Sequence, residues 1–292
     1  MFNIRPLKNN DISTVTGWAR SEGFAPGIGD VSIYKSTDNQ GIWIGCFDNK
    51  PIGCIAGIKY NNSYGFIGLF IVSEKYRGNG YGVELWKHAL KHLINTPCIG
   101  LEAAPNRIKD YIKWGFKLSS TTIRWKWDGN EGFLADKLYL DEFNGLNVID
   151  AMSIPSEKLH TYDANREFTP RPHFIKDWLD NKSGQVLVIV DKFDNCHGFG
   201  RIRPCLLKNG RGWRIGPLLA DTPPLAELLI RSLILKHPGT VFIDSPGLNP
   251  YSKYLFERLG FKEMSNTYRM YKGIQSKVSM NQVYGLACLE LG

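Results

Sequence analysis

The sequence predicts an α/β protein built from two similar domains, in which strands of a mixed sheet are flanked by helices. The chain has 292 residues, and at about 100–200 residues per domain this length fits two domains. A buried strand, a glycine-rich turn and an amphipathic helix follow one another within residues 64–93. The end of the first half is also repeated near the end of the chain.

The first half predicts a regular order of elements. Apolar runs rich in β-branched and aromatic residues, bounded by turn residues, indicate strands at 2–7, 41–47, 52–60 and 64–72. Asn10 or Asp11 can cap a helix that reaches about Ser21. Residues 22–30 contain three glycines and a proline, which favours a shaped loop. Later elements are a helix near 83–93, a strand at 98–104, a helix ending at Gly115, and a strand or hairpin at 116–127.

The glycine-rich turn at 73–82 is a candidate phosphate site. It joins a buried strand to a helix, so free backbone N–H groups point at one place on the positive end of the helix dipole. Gly78, Gly80 and Gly82 permit positive φ and close approach of a ligand. Arg77 adds a permanent positive charge.

Three phosphate motifs compete for this turn, and a turn without a ligand is a further alternative. A Walker loop is excluded because Val83-Glu84 stands where Lys-Ser/Thr is needed. A dinucleotide fingerprint is incomplete at Val83, but Glu102 lies about 20 residues on, where that fingerprint has an acid. The third motif, Arg-x-x-Gly-x-Gly, is filled completely by Arg77, Gly80 and Gly82.

With this third motif the sequence resembles the GNAT superfamily of N-acetyltransferases. A second family signature, Asn-x4-Tyr-x3-Gly-Phe, is present from Asn106 to Phe116. The resemblance implies a twisted, mostly antiparallel sheet flanked by helices, and acetyl-CoA as the acyl donor. It also implies direct transfer of the acetyl group to a primary amine within a ternary complex.

The resemblance also implies roles for individual residues. The strand backbone at Phe70, Ile71 and Val72 would pair with the pantetheine arm, and one of its N–H groups would stabilise the oxyanion. The other cofactor-binding positions are Arg77, Gly78, Asn79, Gly80, Tyr81, Gly82 and Asn106. Tyr111 would act as the general acid. The family's usual carboxylate is missing from 64–68, so Glu102 is one candidate base, while Glu22, Asp30 and a water relay stay open.

The second half, from about residue 134, resembles a second GNAT domain of the YitH type. Asn249…Gly260-Phe261…Arg269 repeats the pattern Asn106…Gly115-Phe116…Arg124. We therefore expect domains at 1–130 and 134–292, divided near 128–132. The second turn, 216–224, lacks Arg-x-x-Gly-x-Gly, has prolines in place of N–H donors, and contains Asp221. We expect this copy not to bind CoA in the usual way.

Charge and composition restrict the other function classes. Of the net charge of +8, residues 1–128 carry +6, from 16 basic and 10 acidic residues. A polyanionic ligand such as CoA accounts for this excess, and no basic block suggests nucleic acid. The six cysteines lack metal-ligand spacing, which predicts buried thiols in a reducing compartment and no metal. Without a signal peptide or a long apolar run, we expect a cytoplasmic protein and no membrane partner.

The leading hypothesis is thus an N-acetyltransferase that is active in its first domain. Two alternatives are a non-catalytic acyl-CoA-binding or sensing module and a nicotinamide enzyme that uses Gly78–Gly82 with Glu102. The acceptor is expected to be a small amine held between the two halves, where Tyr162, Arg166, His173 and Asp244 could line a cleft. A protein N-terminus or lysine stays open as an alternative acceptor. The sequence does not indicate the acyl-chain length or the oligomeric state.

Overall fold

A computed structural model describes residues 1–129, 145–167, 169–275 and 277–292 of the chain. The first half follows the predicted order of strands and helices. Its elements are β1 (Phe2–Pro6), α1 (Ile12–Ser21), α2 (Asp30–Thr37), β2 (Ile42–Phe47), β3 (Lys50–Lys59), β4 (Tyr64–Val72), α3 (Tyr81–His92), β5 (Cys98–Ala103), α4 (Ile108–Lys113) and β6 (Lys117–Trp127). Helix α2 was not anticipated, because two of its five buried residues, Asp30 and Thr37, are polar, so its apolar periodicity is weak.

The second half repeats this order with additions. Its described elements are β7 (Leu146–Asp150), α5 (Ser156–Ala164), α6 (Pro172–Asp180), β8 (Gln185–Asp191), β9 (Cys196–Leu206), β10 (Arg211–Ala220), α7 (Pro223–Leu235), β11 (Val241–Pro246), α8 (Ser252–Arg258), β12 (Lys262–Gly273) and β13 (Val283–Gly285). Strands β7 and β13 and helices α5 and α6 were not anticipated. Most of the expected domain boundary, from Asn130 onward, lies outside the described residues.

The described strands form one continuous mixed sheet. Their order is β1-β2-β3-β4-β5-β12-β6-β11-β10-β9-β8-β7, and β13 pairs with β10. Strand β12 of the second half therefore lies between two strands of the first half, and β6 of the first half lies between two strands of the second half. The predicted class of mixed sheet and flanking helices is confirmed, but the two repeats share one sheet by exchanging their last strands.

Each exchanged strand brings an arginine to an acidic residue of the other half. Arg269 on β12 lies opposite Glu102 on β5, with Nε 2.6 Å from the carboxylate. Arg124 on β6 lies opposite Asp244 on β11 and binds it through two nitrogens, at 2.6 and 2.9 Å. These are the two arginines of the sequence repeat. Because the two arginines occupy equivalent positions in the repeat, the repeated segments include the two strands that are exchanged.

The parallel strand pair of each half ends in a different way. Strands β4 and β5 pair only from Tyr64 to Ile67, and no described strand pairs with β4 on that side beyond Ile67. In the second half, β10 and β11 pair only from Trp213 to Ile215. There β13 continues the pairing of β10, opposite Leu218 and Leu219. The gap that stays open in the first half is closed by the chain itself in the second.

Within the described residues, no helix has the length and apolar character needed to span a membrane, and no cluster of His, Cys, Asp or Glu is suited to a metal ion. All six cysteines are unpaired, and five of them are buried. Their burial agrees with the expectation of inert thiols that pack as small apolar groups.

Candidate acyl-donor site

The open edge of β4 begins at a backbone irregularity. Leu69 has a φ of 48°, and the register of β4 against β3 shifts at this point. Beyond the shift, β4 stays paired with β3 through Ile71 and Val72 while it separates from β5. An extended ligand could therefore occupy the place of a strand next to Phe70–Val72 and bind backbone groups there. This is where the sequence predicted the pantetheine arm.

The turn that follows β4 has the features of an anion site. Gly78 and Gly80 have φ values of 79° and 83° and open space around the position of a Cβ, so their backbone conformation is what favours glycine. Gly80 is the N-cap of α3 and contributes no side chain to it, so the N–H groups of Tyr81 and Gly82 remain available, while that of Val83 donates to the Gly80 carbonyl. A Cβ on Gly82 would lie 3.3 Å from the Phe70 ring, so this glycine lets α3 pack closely on β4.

Side chains around the turn fix its shape. Arg77 donates from Nε to the Val72 carbonyl at 2.8 Å, and its Nη2 lies 2.5 Å from the carboxylate of Glu22. Asn79 donates its amide to the carbonyls of Tyr76 and Arg77. The Tyr81 ring stacks on Phe2 with a centroid separation of 4.7 Å. Asn79 and Tyr81 thus have scaffold contacts through their side chains, and only their backbone is available to an anion.

Tyr111 lies on α4, on the helical side of the open edge. Its ring packs 5.1 Å from Trp86 and near Phe116, and burial raises its pKa to about 12. Asn106 lies in the exposed turn that precedes α4. Ile112 of α4 is 53% exposed. Ile108, Tyr111 and Trp114 pack against the buried cluster beneath α3.

Sequence reasoning missed the potential role of Trp86. Its ring is 3% exposed and lies 5.9 Å from Phe70 and 5.1 Å from Tyr111. The indole Nε1 is buried and has no hydrogen-bond partner in the described chain. A buried N–H without a partner costs about 1–3 kcal/mol, so a ligand carbonyl that accepts this hydrogen would be stabilised. In the sequence, Trp86 is indistinguishable from any other apolar residue of an amphipathic helix.

Glu102 is held in a network of hydrogen bonds. Its Oε1 accepts from Thr122 at 2.9 Å and from Arg269 at 2.6 Å, and its Oε2 accepts from Thr267 at 2.8 Å. Its neighbours Leu101 and Ala103 belong to the same core cluster as Tyr111. Side chains alternate along a strand, so Glu102 points to the opposite face of the sheet from Tyr111. To act as a base, it would have to use the remaining lone pair of Oε2 or release Thr267.

The other candidate bases also have partners. Asp30 is completely buried and pairs with Arg203, whose positive charge, with those of Arg214 and Arg201, keeps the pKa of Asp30 below its usual value although burial acts to raise it. Glu22 is exposed and paired with Arg77 at the mouth of the turn. Asp30 therefore has a structural role, whereas Glu22 connects the shaped loop to the phosphate turn.

The second half fixes the shaped loop at 22–30. Arg214 donates to the carbonyls of Phe24 and Ala25 at 3.3 and 3.2 Å. Backbone hydrogen bonds also join Pro26 to Leu206 and Ile28 to Pro204 of β9. The conformation of this loop is thus set by the other repeat.

Residues 286–292, called the tail below, lie against β4 where its open edge begins. A Cβ on Gly68 would be only 1.8 Å from the Glu290 carbonyl oxygen. The Leu291 carbonyl accepts a hydrogen bond from Tyr60 at 3.1 Å, and that of Gly292 accepts one from Arg171 at 3.1 Å. The sequence offers no signal for these contacts except the glycine itself.

The four residues expected to line an acceptor cleft have different surroundings. Tyr162 and Arg166 both bind Asp221, at 2.7 and 2.8 Å, and His173 packs against Tyr60. Asp244 is buried between arginines. These contacts place Tyr162 and Arg166 beside the second turn, where Asp221 accepts their hydrogen bonds.

The first half fits a CoA-type ligand by several independent features. It has an open strand edge, a helix N-terminus without a side-chain cap, and an arginine beside it. The second half has a carboxylate at the equivalent turn and β13 on the equivalent edge. A dinucleotide fold does not fit, because only two described strand pairs are parallel and Glu102 is bound to Arg269.

Comparisons with known proteins find a GNAT match in each half. Residues 14–116 match the acetyltransferase (GNAT) family, and residues 159–285 match an acetyltransferase (GNAT) domain. Holothin acyltransferase of Pseudoalteromonas sp. (strain SANK 73390) is 27% identical over 293 residues, which cover 100% of this chain and 95% of that protein.

Two solved structures share the fold over nearly the whole chain. A candidate acetyltransferase of Pyrococcus horikoshii has a TM-score of 0.80 at 19% identity, covering 100% of this chain and 96% of that one. A tandem GNAT protein from the clavulanic acid biosynthesis pathway has a TM-score of 0.67 at 13% identity, covering 94% and 100%. From the site geometry, the two family matches and the shared tandem fold, we conclude that this chain belongs to the GNAT acetyltransferase family and has a GNAT domain in each half.

Proposed function

We propose that this protein transfers an acyl group, with acetyl as the first candidate, from acyl-CoA to a primary amine by direct attack in a ternary complex. The observation that carries the proposal is the contrast between the two halves. Beyond Ile67 the edge of β4 is open next to an Arg-x-x-Gly-x-Gly turn, whereas the corresponding edge of β10 is covered by β13. One donor site per chain follows, and it lies in the first half.

The donor would be held by backbone groups and one arginine. The N–H groups from Gly78 to Gly82, which include the first two residues of α3, would bind the pyrophosphate, since those of Arg77 and Val83 already donate to backbone carbonyls. Arg77 would exchange its contact with Glu22 for a phosphate oxygen. When bound, acyl-CoA supplies the acyl group as a reactive thioester. A backbone N–H at Ile71 or Val72 would stabilise negative charge on the acyl oxygen during attack.

Tyr111 would assist the departure of sulfur as a hydrogen-bond donor. Its pKa of about 12 exceeds the value of about 8.5 for an ordinary thiol by roughly 3.5, which corresponds to about 5 kcal/mol for complete proton transfer. A hydrogen bond to a charged group is worth about 1.5–3 kcal/mol. Donating a hydrogen bond to the thiolate therefore costs Tyr111 less free energy than transferring its proton completely. The new bond joins the amine nitrogen to the acyl carbon, the carbon–sulfur bond breaks, and the amine's surplus proton leaves to a base or to water.

The acceptor would approach from the face of the sheet that carries Glu102. The wall on this side is the loop at 22–30, held by Arg214 and by β9 of the second half. Glu102 remains a candidate base through the free lone pair on Oε2, with water relay as the alternative. The relative's name refers to acyl transfer to holothin, which motivates a panel of small amine acceptors and of several acyl-CoA chain lengths.

The proposal is tested by measuring thiol release and product mass with acetyl- and propionyl-CoA and a panel of small primary amines. The Tyr111→Phe variant is matched because it keeps the ring packed against Trp86. We expect it to bind CoA as tightly as the wild type but to turn over about 10- to 100-fold more slowly, the loss of one charge-assisted hydrogen bond. Tight CoA binding without acylation of any amine would favour the non-catalytic sensing module instead.

A further inference from the structure

At the joint between the two halves, a group of buried charged residues around Asp30 and Asp244 contains more arginines than carboxylates, while the neighbouring Arg171 and Arg269 have carboxylate partners of their own. The arginines of this group are Arg124, Arg201, Arg203 and Arg214, and its carboxylates are Asp30, Asp244 and Glu290; all seven side chains are buried. Asp244 binds Arg124 and Arg214, and Asp30 binds Arg203. Glu290 lies 3.8 Å from Arg214 and 3.3 Å from the hydroxyl of Tyr34. Four positive charges thus face three negative ones.

The unmatched charge is that of Arg201 on β9. This side chain is 0% exposed, and none of its three guanidinium nitrogens has a hydrogen-bond partner in the described chain. It lies over the Trp178 ring of α6 at 4.9 Å, and Arg203 lies over the same ring at 4.3 Å. Burial, followed by the charge of Arg203, lowers the pKa of Arg201 to about 9, with Asp30 acting in the opposite direction.

Such an arrangement is costly unless another group completes it. Arginine is not expected to lose its proton in a protein, and a buried charge without a partner strongly destabilises the folded state. Contact with Trp178 offsets about 2 kcal/mol or somewhat more when the pair is desolvated. It leaves all five N–H donors of the guanidinium unused.

We propose that Arg201 is the centre of a binding site for a small monovalent anion, either a halide or a short carboxylate. One negative charge would balance the four arginines and three carboxylates of the joint. A carboxylate would match the planar fork of the guanidinium, and a halide would accept hydrogen bonds from fewer of its N–H groups. A phosphate dianion would exceed the missing charge. The site is separate from the acyl-donor turn, since Arg201 belongs to the repeat whose edge is covered by β13.

The test is thermal unfolding of the full-length protein in sodium acetate, sodium chloride or a bulky sulfonate at constant ionic strength. We expect a saturable rise of the wild-type midpoint, about 5 °C at an anion concentration 100-fold above the dissociation constant, in acetate or chloride only. A larger rise of the midpoint in acetate would indicate a carboxylate as the anion, and a larger rise in chloride would indicate a halide. The same midpoint in all three salts would overturn the proposal.

Two variants separate an anion site from a purely structural arginine. Arg201→Met should remove the dependence on anions and should raise the unfolding midpoint in the sulfonate buffer, because an unpaired charge is lost. Arg203→Met is the matched control, since it faces the same Trp178 ring but leaves Asp30 without its partner, and it should lower the midpoint in every salt. If Arg201→Met lowered the midpoint as much as Arg203→Met, whatever the anion, Arg201 would be structural and the proposal wrong.

Discussion

Gly68 provides a quantitative test of how the tail is placed against β4. This glycine is the last residue before the irregularity at Leu69, and the tail crosses it so closely that a Cβ would lie 1.8 Å from the Glu290 carbonyl oxygen and 2.7 Å from the carbonyl carbon. Gly68→Ala therefore requires the two backbones to separate by about 1.5 Å to reach ordinary van der Waals contact. Both neighbours are backbone atoms, so no side chain can rotate away.

The expected cost follows from the contacts that hold the tail. Leu291 is 1% exposed, and exposing such a side chain costs about 1.5–3 kcal/mol. Separation also weakens the hydrogen bonds from Tyr60 to Leu291 and from Arg171 to Gly292, each worth about 1 kcal/mol or more when the donor stays buried. Partial relaxation will recover some of this. We expect Gly68→Ala to destabilise the protein by about 3–5 kcal/mol.

Thermal unfolding of purified variants measures this effect. Gly17→Ala is the matched control, because Gly17 is an exposed residue of α1 with open space around a Cβ. Replacing a helix-interior glycine with alanine should stabilise the protein by about 0.5–1 kcal/mol. The two changes should move the midpoint in opposite directions. A Gly68→Ala protein that unfolds at or above the wild-type midpoint would refute the placement of the tail on β4.

Two further predictions concern the joint and the donor site. Asp244→Asn should lower the free energy of unfolding by about 3–5 kcal/mol at neutral pH, because it leaves Arg124 and Arg214 without their counter-charge. These arginines hold the folded-state pKa of Asp244 below its unfolded value despite burial. The stabilisation by the Asp244 carboxylate should therefore be complete above about pH 4 and decline as the pH falls below that value. Chemical unfolding of wild type and variant from pH 7 to pH 3 measures this, and a difference that stays constant to pH 3 would contradict it. Trp86→Phe should weaken CoA binding by about 2- to 10-fold, one hydrogen bond, while the stability of the free protein should change by the difference between the unpaired N–H that is removed and the core packing that is lost. Calorimetry with 3′,5′-ADP, which lacks pantetheine, is the control, and an equal loss for both ligands would place the Trp86 contact elsewhere.

The sequence predicted most local elements of the fold, because their signals are themselves local. Apolar runs, glycines and helical spacing predict the strand, turn and helix at 64–92, and the structure has β4 and α3 there. The same pattern located Arg77 and the two glycines whose positive φ the turn requires. What identified the turn was a short motif in its proper context, so it could be recognised without knowledge of the tertiary structure.

The strand exchange could not be predicted in this way. The repeat at Arg124 and Arg269 shows that two segments are alike, but it does not say which half each strand joins. Pairing of β12 with β5 depends on contacts between residues more than 160 positions apart, such as Arg269 with Glu102. Local sequence patterns carry no information about pairing between strands so far apart in the chain. Glu102 was consequently chosen as a base without knowledge of the arginine that would bind it.

The course of the tail also escaped prediction, for a related reason. β13 is a short strand, Val283–Gly285, and its apolar residues would suit any buried segment. Only the three-dimensional structure shows that it covers the edge of β10 and that the following residues reach Gly68. The degenerate turn at 216–224 predicted that the second copy lacks a donor site, and the pairing of β13 with β10 is a second observation in favour of this prediction.

The most direct test of the central claim is the stoichiometry of acetyl-CoA binding, measured by calorimetry on the wild type and on an Arg77→Ala, Gly80→Ala double variant, with NAD as a control ligand. We predict one acetyl-CoA per chain, loss of binding in the double variant, and no binding of NAD. Two molecules per chain would show that β13 does not close the second site. The absence of any acetyl-CoA binding would contradict the assignment of the donor site to β4 and its glycine-rich turn.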